Sequence, residues 1–154
     1  MNNKAKYSLL VIVGLLFVSQ LFRPERISTD KKIDSDISNH LTVSSHVGEL
    51  LEKSCYDCHS MNTVWPWYSN FAPVSWMIAY DVKKGRERVD FSGWTDYNTM
   101  NQIGKLSMIQ EAVKSGEMPL KHYTMMHKES KLTPENIEEI CKWAEEQINL
   151  LQIK

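Results

Sequence analysis

The chain has few cysteines and no excess of charge of one sign. Three cysteines among 154 residues are too few for a fold held together by disulfide bonds, and a chain of this length can bury a hydrophobic core without them. Eighteen basic residues against nineteen acidic residues give a net charge of -1, and no basic patch is interleaved with aromatic residues. This balance argues against nucleic-acid binding. The cysteines therefore need an explanation in chemistry or in packing.

Strand-like alternation, internal repeats and low-complexity tracts are also missing. The chain is 42% hydrophobic and 24% charged, which excludes a disordered protein and is typical of one compact domain. Because no segment alternates with period two, helical periodicity is the regular pattern that remains. The sequence therefore predicts an all-α fold.

One long hydrophobic run stands near the N-terminus. Residues 7–22 read YSLLVIVGLLFVSQLF and follow Lys4 and Lys6. As a helix at about 1.5 Å per residue the run would span roughly 24 Å, slightly less than the roughly 30 Å hydrocarbon core of a membrane. No A-x-A-like cleavage site follows, so we favour an uncleaved anchor over a cleaved export signal or a buried core helix. The basic residues after the run outnumber those before it, so charge alone does not orient the anchor.

A polar segment follows the run and separates it from the rest of the chain. Residues 23–39 are charged and show no apolar period, which is the composition of a flexible tether. We therefore predict three parts: an anchor over residues 1–22, a tether over residues 23–39 and a helical domain over residues 40–154.

Apolar residues recur at helical spacing in four segments of this domain. The predicted helices begin at Ser44, Pro73, Thr99 and Thr133 and end near Cys55, Gly85, Ser115 and Leu151. Serine and threonine are favoured caps, proline fits a first turn, and Gly85 and Gly116 are interpreted as stop signals. Residues 60–72 and 116–130 are predicted to be loops.

One short motif carries recognisable chemistry. Residues 55–59 read CYDCH, the C-x-x-C-H pattern of covalent haem attachment in c-type cytochromes. Cys55 and Cys58, on a turn leaving a helix, can each add to one vinyl group of the porphyrin, and His59 can then bind the iron as its proximal ligand. Attachment normally takes place outside the cytoplasm. The motif and the export segment together predict an anchor in the inner membrane and a domain that faces the periplasm.

Three other interpretations of the motif are weaker. A structural zinc site needs four ligands, and the remaining cysteine, Cys141, lies on the apolar stripe of the last helix, where we expect a buried free thiol. A thioredoxin-like dithiol needs its C-x-x-C at the start of a helix in a fold with strands. A chance occurrence is the third. One covalently bound haem c remains the favoured cofactor.

Four separated segments carry a resemblance to a known family. They read SCYDCHS at 54–60, WPWYSNFAPVSW at 65–76, DVKKGRERVDFSGW at 81–94 and GEMPLKHYTMMH at 116–127, followed by CKWA at 141–144. In these segments the chain resembles the small bacterial haem-binding domain family, which typically has asparagine where Asp90 stands. The resemblance implies a small c-type cytochrome-like domain that binds haem covalently in the periplasm. It implies no reaction and no partner.

The sixth coordination position of the iron has several candidate ligands. Met118 is the best placed, because it follows the helix end at Gly116 and precedes Pro119, which gives a stiff loop in a segment shared with the family. We therefore predict His59 and Met118 as the metal ligands, with core filling by Met118 or an open sixth position as alternatives. The other candidates are Met108, Met125, Met126, His122, His127, His40 and His46.

The loop over residues 60–72 is predicted to line the haem pocket. The side chains predicted to pack on or near the porphyrin, or else in the core, are Trp65, Trp67, Tyr68 and Trp76. A carbonyl group positioned by Pro66 or Pro73 could accept a hydrogen bond from the second ring nitrogen of His59. Arg86 and Arg88 could pair with the propionates, although a solvated face is the simpler expectation.

Together these features predict a membrane-anchored c-type haem protein that transfers single electrons. A haem with both axial positions filled by protein cannot bind substrate, so we favour an electron carrier over an enzyme and predict no catalytic residue. Ligation by methionine and histidine would raise the reduction potential. A haem-based sensor, a small peroxidase with an open sixth position, and a non-catalytic haem subunit of a membrane complex stay open. The sequence does not identify the redox partner.

Overall fold

Helices supply all of the regular structure in residues 2–28 and 34–153, the residues that the computed structural model describes. The all-α prediction is confirmed for this part of the chain. The α-helices are α1 (Asn3–Ser19), α2 (Ile37–His40), α3 (Ser45–Ser54), α4 (Tyr56–His59), α5 (Val74–Arg88), α6 (Thr99–Lys114), α7 (Lys121–Met126) and α8 (Pro134–Ile153). Short 3₁₀ turns cover Trp67–Asn70, Trp94–Asp96 and Lys128–Ser130.

The capping signals in the sequence mark several helix ends correctly. The hydroxyl of Ser44 accepts a hydrogen bond from the Val47 N–H at the start of α3. At the start of α8, the Thr133 hydroxyl accepts from the Asn136 N–H at 3.3 Å. Helix α6 is followed by Gly116 with a φ of 73°, a left-handed conformation that glycine adopts most readily.

Two predicted boundaries are wrong. Helix α5 does not stop at Gly85 but continues to Arg88, because Gly85 serves a close helix contact described below rather than a helix end. The predicted loop over residues 116–130 contains α7 and a 3₁₀ turn, which bring Tyr123 and His127 towards the C-x-x-C-H motif.

The folded domain begins before His40, inside the predicted tether. Ile37 is fully buried, and its N–H donates to the Phe91 carbonyl at 2.8 Å. The Asp36 carboxylate caps α2 by accepting from the Ser38 N–H at 3.0 Å. Residues 34–39 are thus held by a segment more than fifty residues away, which their polar composition does not reveal. Residues 29–33 of the predicted tether lie outside the described residues.

We expect Ile37→Ala to lower the free energy of unfolding by about 2–5 kcal/mol, because it leaves a cavity in the core. Chemical denaturation followed by circular dichroism would measure the loss. Ile27→Ala is the matched control, because that side chain is half exposed and its truncation should change stability by less than about 0.5 kcal/mol. If both substitutions lower the free energy of unfolding by the same amount, residues 34–39 do not belong to the core.

The core lies where α3, α6 and α8 meet the segment that follows α5. Its large apolar side chains that are fully buried are Ile37, Leu51, Phe91, Trp94, Leu106 and Ile140. Cys141 lies in the same cluster as a free, buried thiol, as its place on the apolar stripe of α8 predicted. Because the C-terminal half of α3 is packed into this core, the motif that follows α3 has a fixed position.

The hydrophobic run forms α1, and none of its residues is buried. Within residues 2–28 and 34–153, no helix combines the length and the apolar character that crossing a membrane requires. The anchor over residues 1–22 therefore stays a prediction.

Candidate functional site

The C-x-x-C-H motif is held on a single tight turn at the end of α3. Cys55 has φ -129° and ψ -40°, which ends α3 and begins the short helix α4. The N–H groups of Cys58 and His59 both donate to the Cys55 carbonyl, at 3.1 and 2.9 Å. Both cysteines are free thiols. The turn thus keeps two thiols and one imidazole together.

The orientation of His59 is fixed by the segment that follows α5. Its Nδ1–H donates to the Val89 carbonyl at 2.9 Å, and its own carbonyl accepts from the Phe91 N–H at 2.7 Å. The Phe91 ring stacks on the imidazole with 5.7 Å between centroids. With Nδ1 occupied in this way, Nε2 is the atom left to bind a metal. The acceptor is therefore Val89, and not a carbonyl beside Pro66 or Pro73 as predicted.

Burial shifts the pKa values of these three groups towards their neutral forms. Burial raises the pKa of Cys55 to about 12, and burial with the nearby Asp57 raises the pKa of Cys58 to about 12. A reactive dithiol needs the opposite shift. Burial lowers the pKa of His59, partly offset by its bond to Val89, so the imidazole is in the neutral form that binds metals.

A closed zinc site is not formed by the described residues. In residues 2–28 and 34–153 no group of three or more histidine, cysteine, aspartate or glutamate side chains is arranged to hold a metal ion. Cys141 lies in the core, where its thiol is 3.9 Å from the Gln110 carbonyl. The zinc interpretation of Cys55 and Cys58 therefore has no further cysteine to complete it.

The two residues between the cysteines anchor the motif to the rest of the domain. The Tyr56 hydroxyl donates to Asp36 at 2.7 Å. The Asp57 carboxylate accepts from the Val64 N–H and from the Tyr123 hydroxyl, both at 2.8 Å. The sequence offers no signal for these roles other than the place of both residues inside the motif.

Gly85 allows α5 to pack directly on the motif. A Cβ atom at this position would lie 2.4 Å from the Cys58 carbonyl oxygen and 3.1 Å from the Cys58 Cβ. Both neighbours belong to the tight turn of the motif and cannot swing away. The sequence contains one signal for this contact. Residues that favour helices follow Gly85 as far as Arg88, so the glycine lies inside a helical pattern and not at its end.

A mainly apolar cavity of about 340 Å³ adjoins Cys58 between α5, α7 and the loop after the motif. This volume falls within the range of about 300–1,000 Å³ typical of pockets for small molecules and cofactors. Its lining includes Cys58, Met77, Ile78, Leu120, Tyr123 and Met126. The cavity can therefore take an apolar group attached at Cys58.

A second, smaller cavity of about 70 Å³ lies on the Cys55 and His59 side of the motif. Met118 borders it together with Cys55 and His59, and Met108 borders it as well. The Met118 N–H donates to the Ala112 carbonyl at 3.0 Å, which fixes the backbone there. The structure thus brings the two predicted axial ligands to one cavity.

The other candidate ligands divide into two groups. Four border the larger cavity: Met125, Met126, His122 and His127. Two of these have partners, since His122 Nε2 lies 2.7 Å from the Asp81 carboxylate and His127 Nε2 lies 2.7 Å from the Tyr68 hydroxyl. His40 and His46 border neither cavity and instead contact Asp34 and Glu139.

Trp65 and Trp67 line neither of these two cavities, so their packing on or near the porphyrin stays a prediction. Trp67 is 75% exposed, because the 3₁₀ turn Trp67–Asn70 directs it outwards, against Tyr68 and Phe71. Trp65 lies beneath the Arg26 guanidinium, 5.1 Å from the ring centroid. Of the aromatic residues predicted for this loop, Tyr68 does border the larger cavity.

Arg86 holds the loop that follows the motif. Its guanidinium donates to the Ser60 carbonyl at 2.8 Å, to the Thr63 hydroxyl at 2.9 Å and to the Ile27 carbonyl at 2.7 Å. These bonds occupy the guanidinium that was expected to be solvated or to pair with a propionate. Arg88 borders the smaller cavity, beside Cys55 and His59.

A family model described as a haem-binding domain matches residues 14–146, a range that includes the motif, both cavities and most of α8. No curated protein and no solved structure matches the chain.

Proposed function

Since the chain belongs to the haem-binding domain family, we propose that it binds one haem covalently through Cys55 and Cys58, with His59 as the proximal ligand. The observation that carries the proposal is the bond from His59 Nδ1 to the Val89 carbonyl, which leaves Nε2 for iron. The residues present fit the group: two free thiols, one imidazole and two adjoining cavities, of about 340 Å³ beside Cys58 and of about 70 Å³ beside Cys55 and His59.

The two thiols form the covalent links. Each sulfur of Cys55 and Cys58 bonds to one carbon of a vinyl group and the thiol hydrogen goes to the other, so the addition needs no oxidant or reductant. Val89 meanwhile keeps the His59 ring from rotating. When bound, haem supplies an iron that gains and loses one electron, and this chemistry suits one-electron transfer.

Met118 is proposed as the second axial ligand. It borders the same cavity as His59 and Cys55, and its backbone is fixed by the bond to the Ala112 carbonyl and by the left-handed turn at Gly116. A thioether ligand raises the reduction potential of haem. We therefore propose a high-potential electron carrier.

The apolar surface of α1 supports a membrane anchor. Leu15 and Phe17 are more than 60% exposed, and no residue of this helix is buried. An exposed apolar surface of this kind marks a contact with membrane or protein. We propose that residues 1–22 anchor the chain in the inner membrane and that the haem domain faces the periplasm, where haem is attached.

Covalent attachment is tested by haem retention after denaturation. Full-length protein from a host with a haem-attachment system should keep its haem through denaturing electrophoresis, because thioether bonds survive unfolding. The double variant Cys55→Ser, Cys58→Ser should lose all of it, whereas Cys141→Ser should retain it. Complete extraction of haem from the unaltered protein by acid-acetone would contradict the proposal.

A further inference from the structure

We propose that the haem domain docks on the surface of the lipid bilayer through an aromatic collar formed by Trp67, Phe71, Trp76 and Tyr80. The occupant of this surface is the headgroup region of the membrane in which α1 is anchored. The inference rests on the anchoring proposed above, and it adds a fixed contact between domain and membrane where the sequence predicted a flexible tether.

The end of α1 is bonded directly to the collar. The Gln20 side chain donates to the Ala72 carbonyl at 3.1 Å and accepts from the Ala72 N–H at 3.0 Å. The Trp76 indole N–H donates to the Phe22 carbonyl at 2.6 Å. Three apolar residues of α1, Ile12, Leu15 and Leu16, also border one small cavity with Pro73 and Trp76. The collar therefore lies beside the last turns of α1.

The collar consists of two exposed pairs of side chains, Trp67 with Phe71 and Trp76 with Tyr80. Phe71 is 56% exposed, Trp76 40% and Tyr80 60%. The rings of Trp67 and Phe71 lie 6.3 Å apart, and Trp76 and Tyr80 are one turn apart on α5. A cluster of large apolar side chains at a protein surface marks an interaction site.

The composition of the collar fits a lipid interface. Tryptophan and tyrosine are enriched where membranes meet water, because their rings are apolar and their N–H or O–H groups remain hydrated. Leu21 and Phe22, which follow α1 next to the collar, are also more than 60% exposed. Whatever covers α1 therefore also reaches the collar, which favours lipid over a separate protein partner.

The charges beside the collar are compatible with anionic headgroups. Arg23 is exposed, and Lys83 and Lys84 lie on the exposed side of α5. Glu87 pairs with both lysines, at 2.6 Å from Lys84 and 4.0 Å from Lys83. Glu25 is a second acidic residue on this surface. Basic residues next to an anchor are attracted to anionic lipids.

The docking is tested by cysteine protection in full-length protein reconstituted into vesicles of phosphatidylcholine with a minority of phosphatidylglycerol. Phe71→Cys and Tyr80→Cys are made in a Cys141→Ala background and treated with a membrane-impermeant maleimide. We expect labelling about tenfold slower than at Lys142→Cys, an exposed position on α8, because lipid must first leave the collar. Adding Trp67→Ser and Trp76→Ser should restore the rate at Phe71→Cys.

The possible outcomes separate docking from anchoring. Rates at Phe71→Cys and Tyr80→Cys equal to that at Lys142→Cys, in protein that floats with the vesicles, would overturn the docking and leave the anchor intact. Failure of the unaltered protein to float with the vesicles would overturn the anchor and the docking together. The haem spectrum of each variant reports whether the domain is folded.

Discussion

Gly85→Ala should remove most covalently bound haem from the protein and destabilise the domain, although it adds a single methyl group. The added Cβ would lie 2.4 Å from the Cys58 carbonyl oxygen, so α5 and α4 must separate. Such overpacking typically costs about 1–3 kcal/mol. The same movement draws the Val89 carbonyl, at the end of α5, away from His59, so the imidazole loses its fixed orientation.

The matched control for this prediction is Gly104→Ala. Gly104 lies in the interior of α6, and a Cβ there would meet no atom within 4 Å. Alanine is preferred over glycine in a helix by about 0.5–1 kcal/mol, so this substitution should stabilise the domain. Haem content per protein and chemical denaturation measure both effects. If Gly85→Ala also stabilises the domain and keeps full haem content, the close packing of α5 on the motif is wrong.

Features that depend on neighbouring residues could be predicted from the sequence. The Ser44 and Thr133 caps and the stop at Gly116 act over three or four residues, and the structure places all three at helix ends. The C-x-x-C-H motif is likewise a local pattern. Its chemistry follows from the spacing of two thiols and one imidazole, and the sequence alone shows that spacing.

Features that depend on distant partners could not be predicted. From its sequence neighbours alone, Gly85 is interpreted as a helix end. Glycine is needed there because the Cys58 carbonyl of another helix lies against it, and the sequence does not show this contact. Ile37 stands in a polar segment, and only its pairing with Phe91 makes it part of the core. Trp67 illustrates the converse, since an aromatic residue near the motif turns out to face solvent.

The axial ligands could be predicted from the sequence only in part. The sequence favours Met118 from its place between Gly116 and Pro119, and the structure adds that Met118 borders a cavity with Cys55 and His59. Asp81 and Tyr68 already contact the ring nitrogens of His122 and His127, and those bonds must break before either histidine can bind iron through the same atom. Met118 has no such competing bond to lose, because a thioether is a weak hydrogen-bond acceptor.

Met118→Ala should leave haem covalently attached, lower its reduction potential and allow carbon monoxide to bind to the reduced protein. A thioether ligand stabilises ferrous iron, so its loss shifts the potential downwards and opens the sixth position. Redox titration and the visible spectrum, with and without carbon monoxide, measure these changes. His59→Ala should instead prevent stable incorporation of haem, because the proximal ligand and its bond to Val89 are lost together.

Met108→Ala is the matched control, because Met108 borders the same cavity as Met118 but lies on α6 rather than on the fixed loop after Gly116. It should change neither the potential nor the binding of carbon monoxide. If Met118→Ala also leaves both unchanged, the ligand comes from the larger cavity, and replacement of His122 or His127 should then produce the shift. Carbon monoxide binding by the unaltered reduced protein would point to an open sixth position, and hence to a sensor or a peroxidase rather than an electron carrier.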